Sequence, residues 1–131
     1  MDVSLELLDA EAKTRKPDEL AMRVDEMFVL RVRLENTTQH NLKPYLQIDP
    51  RLSNISAELS HVDMSQCFAW TGQLAQPLPN MTSGEVSYLQ FGLVVLSAGD
   101  YVIEASIGDI NANGQIGRQL GSRHLRLSAD L

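Results

Sequence analysis

The sequence has one cysteine, Cys67, among 131 residues. No internal disulfide can form, so no set of cross-links replaces a hydrophobic core. Positive charge is also short: 11 Lys and Arg stand against 17 Asp and Glu, a formal net charge of −6. Those cations are scattered along the chain, whereas phosphate backbones need clustered Lys and Arg, which argues against a nucleic acid partner. No apolar run approaches the roughly 20 residues that span a bilayer. The longest uncharged apolar stretch lies near Phe91–Leu96, and direct membrane insertion is not expected. The opening residues carry Asp2, Glu6 and Asp9, not a basic region followed by an apolar stretch, so no secretory leader is read. The expectation is a single domain over residues 1–131, a fragment of a longer chain whose own targeting is a separate matter. A convincing amphipathic helix is missing as well.

What is present is an ordinary globular composition, 44% hydrophobic and 21% charged, which disfavours wholesale disorder. At this length one core can bury roughly two thirds of the unfolded surface. The dominant period is two. Val3, Leu5 and Leu7 alternate with Ser4, Glu6 and Leu8, a first strand. Lys13 to Pro17 reads as a polar loop. Phe28, Leu30, Val32 and Leu34 then alternate with Val29, Arg31, Arg33 and Glu35, the pattern of a half-buried antiparallel strand. Asn36-Thr37-Thr38 closes it with turn-forming side chains.

Leu42, Leu46 and Ile48 predict a third strand, with Pro44 marking it as an edge or as a strand that begins after the Pro, and with Asp49-Pro50 as a turn. Ile55 to Met64 reads equally as a helical turn or an irregular strand. Cys67 to Gly72 is a short strand, and Pro77 to Asn80 is extended. Glu85 to Leu96 is a long strand, with Leu89, Phe91, Leu93 and Val95 on one face and Gly92 marking a bulge or a close approach. Ser97 to Asp100 is a corner. Tyr101, Ile103, Ala105 and Ile107 lead the next strand, Gly108 to Arg123 is a loop, and Leu125 and Leu127 belong to the last strand.

About seven or eight strands with short turns point to an all-β, immunoglobulin-like antiparallel sandwich. Gly99-Asp100-Tyr101 places a Tyr at the start of a strand after a bend, the pattern of a tyrosine corner, whose hydroxyl bonds to the upstream backbone. Trp70 is the candidate core aromatic. The structural residues singled out are therefore Trp70, Gly99 and Tyr101, and the expected core adds Phe28, Leu30, Val32, Leu34, Phe91, Leu93 and Ile103.

Chemistry-bearing motifs are few. Asp109-Ile110-Asn111-Ala112-Asn113-Gly114-Gln115-Ile116 fits the first eight positions of an EF-hand loop, with Asp109, Asn111 and Asn113 as oxygen ligands. Its twelfth position is Leu120 where a bidentate Glu belongs, so no metal site is assigned and a hairpin loop rich in Asn and Gly is the preferred reading. Sequons stand at Asn36, Asn54 and Asn80; all three lie at predicted turns. His40, His61 and His124 have no metal spacing to one another or to Cys67. No nucleophile with a paired base, glycine-rich phosphate loop or nucleophile elbow is seen. An enzyme is not expected, nor a cofactor. Arg31 and Arg33 lie on a solvated sheet face, with a binding face as the rival reading.

The run Arg23 to Asn36 resembles the start of the C-terminal immunoglobulin-like domain in the subunit-9 family of the TRAPP II tethering complex, especially its fungal members. Phe68-Ala69-Trp70-Thr71-Gly72, Pro77-Leu78-Pro79, Phe91-Gly92-Leu93 and Leu96 to Tyr101 follow in similar order. The resemblance covers about Asp2 to Ile107. It implies a non-catalytic scaffold module in a cytoplasmic complex peripheral to Golgi and trans-Golgi membranes. That complex promotes nucleotide exchange on a Rab GTPase, and the chemistry belongs to its small core subunits. The implied partners are other subunits of the complex, with the Rab GTPase reached only indirectly. The rival class is a secreted or cell-surface adhesion module, motivated by the sequons.

Overall fold

The computed structural model describes residues 1–9, 14–15, 21–52 and 64–131. Among them are ten strands: β1 (Asp2–Leu8), β2 (Thr14–Arg15), β3 (Ala21–Arg23), β4 (Met27–Glu35), β5 (Pro44–Leu52), β6 (Phe68–Trp70), β7 (Ala75–Pro77), β8 (Val86–Val95), β9 (Gly99–Ile110) and β10 (Ile116–Asp130). One 3-10 turn, Met64–Gln66, precedes β6. The strands form two five-stranded sheets, ordered β2-β1-β4-β8-β6 and β3-β10-β9-β5-β7. All pairs are antiparallel except β3 on β10. This is the expected all-β sandwich, with ten strands in place of seven or eight because β2, β3 and β7 are short edge pieces.

Side-chain alternation decides which face turns inward. Along β4, Phe28, Leu30, Val32 and Leu34 are buried while Val29, Arg31, Arg33 and Glu35 stay half-exposed. β8 contributes Phe91, Leu93 and Val95; β9 contributes Tyr101, Ile103, Ala105 and Ile107; β10 contributes Leu125, Leu127 and Ala129. These join one continuous hydrophobic cluster drawn from both sheets. Each fully buried Leu, Ile, Val or Phe stabilises by about 1.5–3 kcal/mol. β4 and β9 are flanked by strands on both sides, so they hold the centre of each layer. Trp70 is only half-buried and packs on the margin of the cluster; Phe68, two residues earlier, is the aromatic that enters it.

Three sequence expectations are corrected. Asp49-Pro50 is no turn: both residues lie inside β5, opposite Glu104 and Ile103 of β9. The backbone of Ile48 faces β7, since its amide donates to the Leu74 carbonyl at 2.7 Å. By the two-residue period Pro50 faces the same side, beyond the point where β7 pairs. Its missing N–H therefore leaves no ladder bond unmade. The stretch Gly108 to Arg123 is mostly strand, forming the outer arms of the β9–β10 hairpin. Those arms lack alternation because they project past the core: residues 116–119 are all exposed and residues 108–110 all half-exposed. Within the expected Lys13–Pro17 loop, Thr14–Arg15 pairs with Leu8 and Leu7. The stretch Ile55 to Asp63, with Asn54 and His61, lies outside the described residues.

Candidate interaction surface

The bend between β8 and β9 gathers three of the singled-out residues. Tyr101 is buried, and its hydroxyl donates to the Ser97 carbonyl at 2.7 Å. The Phe68 ring meets it edge-on with centroids 4.7 Å apart, and Trp70 stacks on Phe68 at 5.7 Å. A Cβ at Gly99 would sit 3.3 Å from the Tyr101 hydroxyl, so the ring needs a bare backbone there. Burial pushes the Tyr101 phenol up to about 12, and the neighbouring Cys67 adds to the rise. A neutral phenol bonded to a backbone carbonyl is a fixed strut.

The strand end after β4 holds a residue whose role its sequence motif hid. Asn36 is the one buried polar residue among the described residues. Its amide Nδ2 donates to the carbonyls of His40 (2.8 Å) and Met81 (3.1 Å). Its Oδ1 accepts from the Thr38 amide and the Thr38 hydroxyl. Leu42 and Met81 exchange both backbone bonds beside it, each at 2.9 Å. The nitrogen that a glycan would need is thus buried and donating in the fold. Asn80 is exposed. Asn followed by Thr two residues on was the available signal, since it is also the spacing of an Asx turn.

Asp109, Asn111 and Asn113 are not brought together around one point. Asp109 lies in β9 opposite Pro44. Asn111 uses its Oδ1 to accept the amides of Asn113 and Gln115, both at 3.0 Å. The Gly114 amide donates to the Asn111 carbonyl, and Gly114 has a positive φ of 77°, which glycine adopts freely. Asn and Gly here build the hairpin turn. Among the described residues no group of three or more His, Cys, Asp or Glu is placed to hold a metal ion. His40 is exposed in the bend between β4 and β5, His124 is exposed on β10, and Cys67 is buried.

The outer face of the first sheet is a charge-matched surface. Arg31 pairs with Glu6 across β1, and its guanidinium lies 5.9 Å from the Tyr88 ring centre. Arg33 pairs with Glu35 at 2.9 Å and lies 3.9 Å from Asp2. The hydrogen bond to Glu35, then one to Tyr88, raises the Arg33 guanidinium above its ordinary value. Val86 and Tyr88 remain exposed beside these pairs. Exposed pairs of this kind contribute little to stability; they fix the side chains of a solvated face. No helix among the described residues is long and apolar enough to cross a membrane.

With this geometry in place, the family described as "Trs120/TRAPPC9, fourth Ig-like domain" matches residues 1–129. No curated protein matches the sequence. Solved structures share the architecture at low identity. Escherichia coli alpha-2-macroglobulin in its native conformation superposes with a TM-score of 0.62 at 14% identity, over 98% of this chain and 6% of that one. Salmonella alpha-2-macroglobulin reacted with methylamine gives 0.55 at 19% identity, over 97% and 7%. The present chain thus spans a small fraction of those proteins, and at such identities the likeness is one of fold alone.

Proposed function

This chain belongs to the Trs120/TRAPPC9 fourth Ig-like domain family, and on that footing we propose that it is a non-catalytic contact module of a TRAPP complex subunit. The observation that carries the reading is the match over residues 1–129, which takes in every described strand of the sandwich but for the last residue of β10. The geometry agrees with it in kind. Both sheets turn their apolar side chains into one core, and their outer faces offer charged and polar side chains suited to contact with neighbours. In the finer setting we infer, the module is one domain of a longer, fungal-type scaffold subunit, placed toward its C-terminal end. That subunit sits in a cytoplasmic complex at Golgi and trans-Golgi membranes, where small core subunits carry out nucleotide exchange on a Rab GTPase. The module's own partners are then other subunits of the complex.

The test is affinity capture of the full parent chain from cells, with and without residues 1–131. Loss of particular complex members on deletion is the expected result. Recovery of an unchanged set, from a parent chain that remains abundant, would contradict the contact role.

A further inference from the structure

Among the described residues, with Arg23 and Lys43 elsewhere, positive charge without a carboxylate partner is densest on β10. Its fifteen residues hold Arg118, Arg123, His124 and Arg126 with one acid, Asp130. Elsewhere Arg31, Arg33 and Arg51 are each within 4 Å of a carboxylate. Arg123 instead donates through Nε to the Val3 carbonyl at 3.1 Å. No hydrogen bond or ion pair to the side chains of His124 or Arg126 is found among the described residues. Two acids on neighbouring strands are already paired: Glu6 of β1 with Arg31, and Glu104, opposite His124, with Arg51.

Among the described residues this charge borders backbone that has no strand beside it. β3 pairs with β10 only at Ser128–Asp130. The Asp130 carbonyl accepts from the Val24 amide at 2.9 Å, so Asp130 faces the β3 side. By the two-residue period Ser122, His124 and Arg126 face the same way, while Arg123, Leu125 and Leu127 face β9. Nearer the strand start the edge is closed, because β1 approaches it: a Cβ on Gly121 would lie 2.7 Å from the Met1 carbonyl. Beyond that contact lies a cleft of about 440 Å³ lined by Ser4, Leu5, Arg123, His124, Leu125 and Arg126. It combines two apolar side chains, three basic ones and open backbone donors and acceptors.

We propose that this edge of β10, from Ser122 to Leu127, docks an extended acidic segment of a protein partner, which adds to the sheet as a strand. An extended chain satisfies the open amides and carbonyls, as in other cases of strand addition. Apolar residues on alternate positions meet Leu5 and Leu125. Asp or Glu between them meets His124 and Arg126 on the other face, and this complementarity selects the partner. The proposal rests on the reading of the chain as a contact module and gives that reading a surface and a partner chemistry.

The probe is a displayed random library of segments about ten residues long, selected on the 131-residue chain. The expected winners alternate Asp or Glu with Val or Ile and lack Pro. Their binding weakens at least about tenfold in Arg126→Glu, a change in electrostatic complementarity, and is retained in Arg118→Glu, which makes the same charge change on the hairpin arm. Both variants replace exposed side chains and are checked for unchanged melting temperature. Amide exchange supplies the second readout: His124 and Arg126 slow on binding, and Leu125, already paired with Ile103, does not. No enrichment, basic winners, or equal loss in both variants overturns the proposal. So does self-association through the same edge, capture of anionic vesicles in place of peptides, or amides of His124 and Arg126 already as slow as Leu125 in the free chain. Any of these, with the deletion experiment still removing complex members, leaves the contact module standing and this edge discarded.

Discussion

Tyr101 joins one hydroxyl to one carbonyl across the bend, and Tyr101→Phe removes only that bond. The expected loss is about 1 kcal/mol, read as a lower urea midpoint with an unchanged slope. The same phenol sets a pH dependence. Its value rises from 10.0 to about 12 on folding, so the folded chain keeps a proton that the unfolded chain releases. The stability from this group is complete below about pH 10 and is lost as pH rises through 10 toward 12. Melting temperature followed across that window falls more steeply in the parent than in Tyr101→Phe; parallel curves would contradict the assignment. Asn36→Ala is the more damaging change at this scale. It removes the partner of the Thr38 amide and one of two donors from each of the His40 and Met81 carbonyls, which keep the Thr38 hydroxyl and the Leu42 amide, and losing these bonds at a buried site costs about 1–3 kcal/mol. A midpoint drop no larger than that of Tyr101→Phe would count against the account. The sequence showed Tyr101 through its place after a bend. It showed Asn36 only as a turn residue, because burial of an amide depends on Met81, 45 positions away.

Among the elements, β6 and β8 meet at a point where the backbone must come close. The Gly92 amide donates to the Thr71 hydroxyl at 2.8 Å, and the Thr71 amide donates back to the Gly92 carbonyl at 2.9 Å. A Cβ at Gly92 would lie 2.7 Å from Thr71 Oγ1, with the next other residue, Met27, at 3.7 Å. Gly92→Ala is expected to destabilise by about 1–3 kcal/mol. In a Thr71→Ala background the penalty shrinks, because the obstructing hydroxyl is gone; additive effects in that double-mutant cycle would refute the contact. The β9–β10 turn gives a different expectation. With Asn111 Oδ1 bonded to two amides, millimolar calcium leaves the melting temperature unchanged, whereas a rise would reveal a bound ion. Strands with one wet and one dry face were legible: β4 and β8 announce themselves by alternation. The hairpin arms were not, since both their faces are wet, and β5 was cut short at Pro50 because a proline reads as a stop unless its neighbours are known. The three-residue strands β3 and β7 borrow their order from β10 and β5 and carry no pattern of their own.

At the scale of the molecule, the two sheets close over one cluster, and what remains for function is the outside. The resemblance seen in Arg23 to Asn36 and in the segments after it led to the family that the whole chain matches. The edge of β10 could not be read that way. Arg123 and Arg126 look scattered in a line of letters; only the start of the β3 pairing at Ala21, opposite Ser128, and the pairing of Glu6 and Glu104 with other arginines leave them unmatched among the described residues. A module that works by contact must be touched when its complex assembles. Residue-level amide exchange of the parent chain, free and within the assembled complex, tests this most directly. Central-strand amides of β4 and β9 are expected to exchange alike in both, while a contiguous stretch of edge or outer face slows on assembly. Identical exchange throughout residues 1–131 in the two states would contradict the account.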